Sequence, residues 1–351
     1  RTLIRNLILA LAIALIIILS KPILIKIINF YFTTTPETKE LIISYISIRV
    51  FSIPAELIIY ILIGFYLGLQ KTNISSLIII FLSSINIVLS TLFVLTYDLN
   101  IFGVALGTLI ACYTTAILFT FFTYKFIIKN FQISPKFERI ISISKLLKLF
   151  QINFDIFVRT VLLTFSFLWV TYQGTKLGED ILAVNALLMQ FIIIAAFFLD
   201  SYAFTVEGIV GYALGKRNKK SFILALNNSI QISFITSLIV SLIYLLFFKD
   251  IINILTDIEI LKFISYKHIL WVLIIPPAAS FCYIFDGIYI GTSQTKEFRN
   301  CMIVSVVLFI LISIYLTKFF GNHGLWFSLF IFMILRALTL RYYLDKILRK
   351  F

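Results

Sequence analysis

The sequence predicts an all-α polytopic membrane protein, and three observations carry that expectation. Of its 351 residues, 61% are hydrophobic, and the mean hydropathy is +1.06, well above the apolar share of a soluble domain. Ten apolar stretches follow one another at 7–29, 41–66, 74–96, 101–124, 149–173, 181–213, 221–247, 263–291, 301–317 and 324–340. Most exceed the ~20 residues a helix needs to cross a bilayer. The connections between them also alternate in charge. One set holds 19 of the 30 Lys and Arg with 3 acids, and the other holds 8 with 8 acids. The net charge of +14 is therefore a topology signal rather than a nucleic-acid surface. It places both termini and every strongly basic loop in the cytoplasm of a multi-pass inner-membrane protein. Contact with anionic lipid follows from the same charges.

The first span leads to an outer loop with Thr33-Thr34-Thr35-Pro36. The second contains Pro54 and Glu56, and Pro54 is expected to kink or interrupt it. Gly64 and Gly68 have the spacing that lets helices approach closely. Asn86 in the third span reads as an interhelical hydrogen bond. The polar stretch 129–148 divides the chain into an N-terminal lobe, 1–128, and a C-terminal lobe, 149–351. In the fifth span Asp155 and Arg159 stand at i,i+4, which predicts an internal ion pair with a structural role.

The sixth span carries Asp200 and Glu207, seven residues apart and so on nearly one helix face. Charge in hydrocarbon is expensive, and an intramembrane acid is a functional candidate by default. The alternative is that both acids pair with basic groups and only fix packing. The eighth span has Pro276-Pro277 and Asp286, and the last has Arg336, whose candidate partner is Asp286 or another interior acid. Three scattered cysteines and two histidines make neither a disulfide framework nor a metal cluster.

Shifted by 223 residues, 54–72 falls on 277–295 with eight of nineteen positions identical, among them Pro54/Pro277, Gly64/Gly287, Tyr66/Tyr289, Gly68/Gly291 and Thr72/Thr295. Six crossings separate the copies, so they run in the same direction and form a parallel repeat. Spans seven to ten then repeat spans one to four. Spans five and six have no counterpart, which predicts two further spans ahead of Arg1 and an ancestral unit of six.

Asn153-Phe-Asp155-Ile-Phe-Val-Arg159-Thr160, Leu182-Ala-Val-Asn185, Leu199-Asp200 through Glu207 and Gly211-Tyr-Ala-Leu-Gly215 together resemble the MATE family of multidrug and toxin extrusion transporters. The resemblance is nearest to the subgroup of the bacterial DNA-damage-inducible protein F. It begins at what would be the family's third helix. It implies two six-helix lobes related by the parallel repeat, with ten of twelve transmembrane helices visible. It also implies export driven by a proton or sodium gradient. Asp155, Arg159, Asn185, Asp200 and Glu207 are the positions that match. Phe154 and Ser201 depart from the subgroup pattern, in which a basic residue and a glycine are usual.

The expected function is a cation-coupled antiporter that exports hydrophobic or cationic small molecules by alternating access. Asp200, Glu207 and Asp286 are the coupling or substrate-charge residues, with a Na+ seat at Asp200 and Glu207 as one option. Asp155, Arg159, Asn185, Pro54 and Pro277 are supporting. Tyr202, Phe204 and Tyr283 could hold a flat cation. No cofactor and no resident metal are expected, and the protein is expected to act as a monomer in the bilayer. Two alternatives are a lipid-linked precursor flippase and a truncated, non-transporting remnant. The five acids against three arginines in the spans argue against an anionic headgroup. An enzyme is not expected, because no nucleophile arrangement or phosphate loop is present.

Overall fold

Proline, serine and glycine decide where the helices of this protein break. The structure is a computed structural model that describes residues 2–31, 35–130, 143–349 and 351. Among them every regular element is helical. The chain divides into two compact units, Arg1–Phe150 and Gln151–Phe351.

In the first unit the expected span 7–29 is two helices, α1 (Thr2–Leu19) and α2 (Lys21–Tyr31). Pro22 lacks the N–H that would bond one turn back, so the ladder is interrupted beside it. Ser20 marks the break, and its Oγ donates to the Ile17 carbonyl at 2.7 Å. Helix α3 (Pro36–Arg49) starts at Thr35, whose hydroxyl caps the Thr38 N–H. The second span is interrupted where Pro54 predicts. A 3₁₀ turn, Val50–Ser52, leads into α4 (Ile53–Gly68), and Pro54 occupies the first turn of α4, where no donor is needed. Helices α5 (Thr72–Leu95) and α6 (Asn100–Asn130) complete the unit. Asn86 Nδ2 donates to Thr108 Oγ1 at 2.7 Å, joining α5 to α6. The core gathers Ala55, Ile59, Leu62 and Tyr66 with Ile78 and with Cys112, Ala116 and Phe119.

Most of the connection expected at 129–148 lies outside the described residues. Its two ends are already helix, Asn130 closing α6 and Ile143 opening α7 (Ile143–Thr175). The second unit continues with α8 (Glu179–Gly215) and α9 (Lys219–Leu255), the latter capped by Asn218 Oδ1 on the Ser221 N–H. The expected span 263–291 is shorter than the sequence suggests. A separate helix α10 (Glu259–Lys267) ends at His268, and the membrane helix proper is α11 (Ile269–Gly291). The polar face of α10, where Lys262 pairs with Glu259, explains why it does not simply extend the apolar segment.

The last helix, α12 (Thr295–Leu348), folds back on itself at Gly321, where φ is +54°. Glycine is the residue that adopts this left-handed conformation without steric cost. The two arms run antiparallel: Phe309 packs on Phe332, Ser305 meets Thr339, and Glu297 pairs with Lys346. Among the described residues nine helices are long and apolar enough to cross a membrane, and α12 supplies two crossings. Counted this way, the described residues hold about ten candidate crossings, in line with the apolar stretches.

Candidate functional site

Helix α8 is held against α11 by glycine. A Cβ at Gly287 would overlap the Ala203 carbonyl oxygen, and one at Gly291 would overlap that of Glu207. A Cβ at Gly211 would stand 2.9 Å from the Gly291 carbonyl oxygen. The two backbones therefore meet directly, as small residues at four-residue spacing allow. This contact brings the acid-bearing stretch of α8 alongside the Asp286 turn of α11.

Asp286 is buried, at 6% exposure, and its Oδ2 accepts from two guanidinium groups. Arg336 Nη2, from the second arm of α12, lies at 2.7 Å, and Arg159 Nη2, from α7, shares the same oxygen. Three helices are thus joined at one carboxylate. The candidate pairing of Arg336 with Asp286 is present. Three atoms in this knot are buried without a hydrogen-bond partner among the described residues: Asp286 Oδ1, Arg159 Nε and Arg336 Nε.

The expected Asp155–Arg159 pair is not what the structure shows. Asp155 accepts instead from Arg299 Nη1 at 2.5 Å and from Thr295 Oγ1 at 3.1 Å, both at the start of α12. The reason is the demand of buried charge. Asp155 and Asp286 are both almost fully enclosed, and an unpaired charge there is severely destabilising. Arg299 supplies a second cation for Asp155, which lets Arg159 turn to Asp286. Spacing along one helix does not reveal either partner. Thr295 carried one signal, its identity with Thr72 in the repeat.

Asp200 and Glu207 differ from these acids. Both are half-buried on α8, and neither makes a hydrogen bond or ion pair among the described residues. Asp200 lies within electrostatic reach of Asp286, Arg159 and Arg336. Asn185, on the same helix, is part of a separate buried knot. Its Nδ2 donates to Asn322 Oδ1 at 2.8 Å, and its Oδ1 accepts from Trp326 Nε1 at 2.8 Å. It fixes α8 to the bend of α12. Pro277 sits inside α11 beside Pro276, where the Ser280 hydroxyl donates to its carbonyl. Of the aromatic candidates, Tyr202 bonds Thr236, Phe204 is exposed, and Tyr283 lies against the Arg336 guanidinium at 5.7 Å.

In the first unit the interior acid Glu56 is also neutralised. Arg49 Nη1 lies at 2.7 Å from its Oε1, and the Ser52 hydroxyl donates to the same oxygen at 2.8 Å. The 3₁₀ turn brings these three residues together. Regular α-helical spacing puts Arg49 about two turns from Glu56 and does not by itself announce the pair.

Residues 155–316 match the MatE family model. Over 340 residues the chain is 32% identical to the DNA damage-inducible protein F of Escherichia coli (strain K12), covering 97% of this chain and 74% of that protein. It is 24% identical over 298 residues to Protein DETOXIFICATION 43 of Arabidopsis thaliana, spanning 84% of this chain and 55% of the plant protein. Among solved structures, the Vibrio cholerae MATE transporter VcmN in its bent form superimposes with a TM-score of 0.84 at 17% identity, over 99% of this chain and 78% of that one. A MOP superfamily transporter from Pyrococcus furiosus gives 0.87 at 18% identity, over 97% and 77%. The helical architecture and the identity across almost the whole chain agree, and the protein belongs to the MATE family of multi-pass membrane transporters.

Proposed function

We propose that the protein exports hydrophobic, often cationic, small molecules across the inner membrane in exchange for protons or sodium ions, and that Asp200 and Glu207 carry the exchange. One observation supports this above the rest. Of the five acids in the spans, Glu56, Asp155 and Asp286 are each ion-paired with arginine, which leaves Asp200 and Glu207 as the acids without a bonded ion-pair partner among the described residues. A carboxylate withdrawn from water without a partner favours taking up a cation. Each can bind a proton, a sodium ion or the positive charge of a substrate, and these competitors exclude one another. Asp286 contributes through its two arginines. Binding at one acid would bias one arrangement of the helices over another, which couples the two fluxes. The chain is read as a monomer with two lobes, 1–128 and 149–351, and with both termini in the cytoplasm.

The test is ethidium efflux from cells or proteoliposomes under an imposed proton or sodium gradient. Asp200→Asn and Glu207→Gln should each lower the rate about tenfold or more, roughly 1.4 kcal/mol in the barrier. Asn153→Ala, a neutral change near neither acid in sequence, serves as control. Efflux by both acid variants at the native rate would remove these residues from the mechanism.

A further inference from the structure

The chain has two histidines, and the fold stacks one upon the other. His268 closes α10 and precedes α11, and His323 follows the bend of α12 at Gly321. Their ring centroids are 4.2 Å apart, with an interplanar angle of 15°. The partners of the rings fix both tautomers. His268 Nδ1 lies 2.9 Å from the Ile264 carbonyl oxygen, which can only accept, so Nδ1 carries the hydrogen. Its Nε2 is then a bare lone pair, buried and without a hydrogen-bond partner among the described residues. His323 Nδ1 accepts from Trp271 Nε1 at 3.0 Å, so the hydrogen of this ring is on Nε2. The stack is therefore two neutral rings. Imidazole lone pairs lie in the ring plane, and two near-parallel planes do not converge on one ion, so the pair is not a metal seat.

Each ring has one place left for a proton, and neither place suits it. On His268 the proton goes to Nε2, which is enclosed with no acceptor to meet it. On His323 it goes to Nδ1, where it faces the N–H of Trp271, donor against donor. Histidine changes charge between about pH 5 and 8, so mild acid supplies that proton. His323 is exposed and free to turn outward, whereas His268 is 5% exposed. Burial also holds the His268 imidazole, which lies outside the membrane-crossing helices, below its ordinary value. The stacked form thus binds fewer protons than the open one. The stability it lends is intact above the imidazole range and is lost as pH falls through that range.

We propose that the His268–His323 stack is an acid-released latch: a proton taken up by the pair parts the rings and frees the bend of α12 from the α10–α11 junction. The groups that act on the charge of His268 are His323 on α12 and Lys267 on α10. Helix α10 also carries Glu259 and Lys262, paired with each other, and α11 has no charged residue before Asp286. At this end of α9 stand Lys249, 5.9 Å from the centre of the Tyr266 ring, and Asp250. Glu179 and Asp180 at the start of α8 and Lys318 ahead of the bend are exposed. The bend is also the anchor of α8, since Asn322 and Trp326 on either side of His323 both bond Asn185. The latch therefore ties α10 and α11 to the same bend that holds the acid-bearing helix. On the orientation expected from charge this end faces outward, where an inward proton gradient is entered. That use rests on the export reading above, whereas the latch itself does not.

The test uses melting temperatures of the purified full chain in detergent at about pH 8 and about pH 5, which bracket imidazole titration. Trp271→Phe keeps a ring and removes the N–H that His323 accepts. At the higher pH it should lower the melting temperature by about 2 °C or more, from one lost hydrogen bond. At the lower pH the bond is already open, and the loss should shrink towards nothing. With His323→Leu, which leaves no acceptor at either pH, the Trp271→Phe loss should be small and equal at both. A loss in the native background that does not shrink on acidification, or that shrinks equally with His323→Leu, overturns the proposal. Should Trp271→Phe not fold, backbone hydrogen exchange of the unmutated chain is followed in 259–275 and 318–327, with the middle of α9 as the reference for the intrinsic effect of pH. Protection that falls in these two segments relative to α9 on acidification supports the latch, and protection that holds refutes it. Neither readout involves ethidium efflux, so failure of the export reading leaves this result standing.

Discussion

Arginine distribution, more than acid position, sorts the interior residues into roles. Asp155 and Asp286 tie α7 to α12 and α11, and Glu56 closes the break between α3 and α4. Asn185 shows what a neutral knot does in the same interior. It accepts from Trp326 and donates to Asn322, so Asn185→Leu leaves an indole N–H and an amide oxygen unmet. A cost of about 2–4 kcal/mol is expected from two buried polar groups losing partners, measured as a shift in detergent-driven unfolding. Asn86→Leu should cost less, about 1 kcal/mol, because only one half-buried hydroxyl loses its donor. The sequence made the acids visible, since Asp or Glu in an apolar run is conspicuous. It did not reveal their partners. Arg299 sits among basic loop residues and reads as a topology charge, while Arg159 reads as the natural partner of Asp155. Only the approach of α12 to α7 separates them.

Identical sequence spacing gives different packing in the two copies of the repeat. Gly64 and Gly68 on α4 align with Gly287 and Gly291 on α11, and periodicity treats the two pairs alike. On α11 both glycines receive the α8 backbone, whereas a Cβ at Gly64 or Gly68 would meet nothing within 4 Å among the described residues. Gly287→Ala should therefore destabilise by several kcal/mol, since a methyl group must displace a packed carbonyl, at a cost of ~1–3 kcal/mol or more for overpacking. Gly64→Ala in this same chain should be neutral or stabilising by up to about 1 kcal/mol through helix propensity. The comparison is read from unfolding of the two variants side by side, and an equal loss in both would refute the packing difference. Helix interruptions were legible where proline stood at the break, as at Pro54. The ends of the eighth span were not, because the apolar residues of α10 continue the hydropathy of α11 while its backbone turns at His268.

Charge asymmetry acts over the entire molecule and predicts one orientation for every helix at once. The set of connections that includes both termini holds 19 of the 30 basic residues, six of them in 125–148, four in 216–220 and four in the C-terminal tail from Arg341 on. Lys and Arg near helix ends resist transfer across the membrane, and a bias of this size predicts that this set of connections faces the cytoplasm. A green fluorescent protein fused after Phe351 should therefore fluoresce, and alkaline phosphatase inserted at residues 96–99, between α5 and α6, should be active. Fluorescence fails outside the cytoplasm and the phosphatase fails inside it, so the two reporters err in opposite directions. An inactive phosphatase together with a dark fusion would invert the protein. The basic ends would then face outward, and with them the Asp155–Arg299 pair at the start of α12. Charge reversal at the four residues 216, 217, 219 and 220 should weaken the bias without abolishing it. The remaining basic residues of the two termini and of the other connections on that side still act in the same direction.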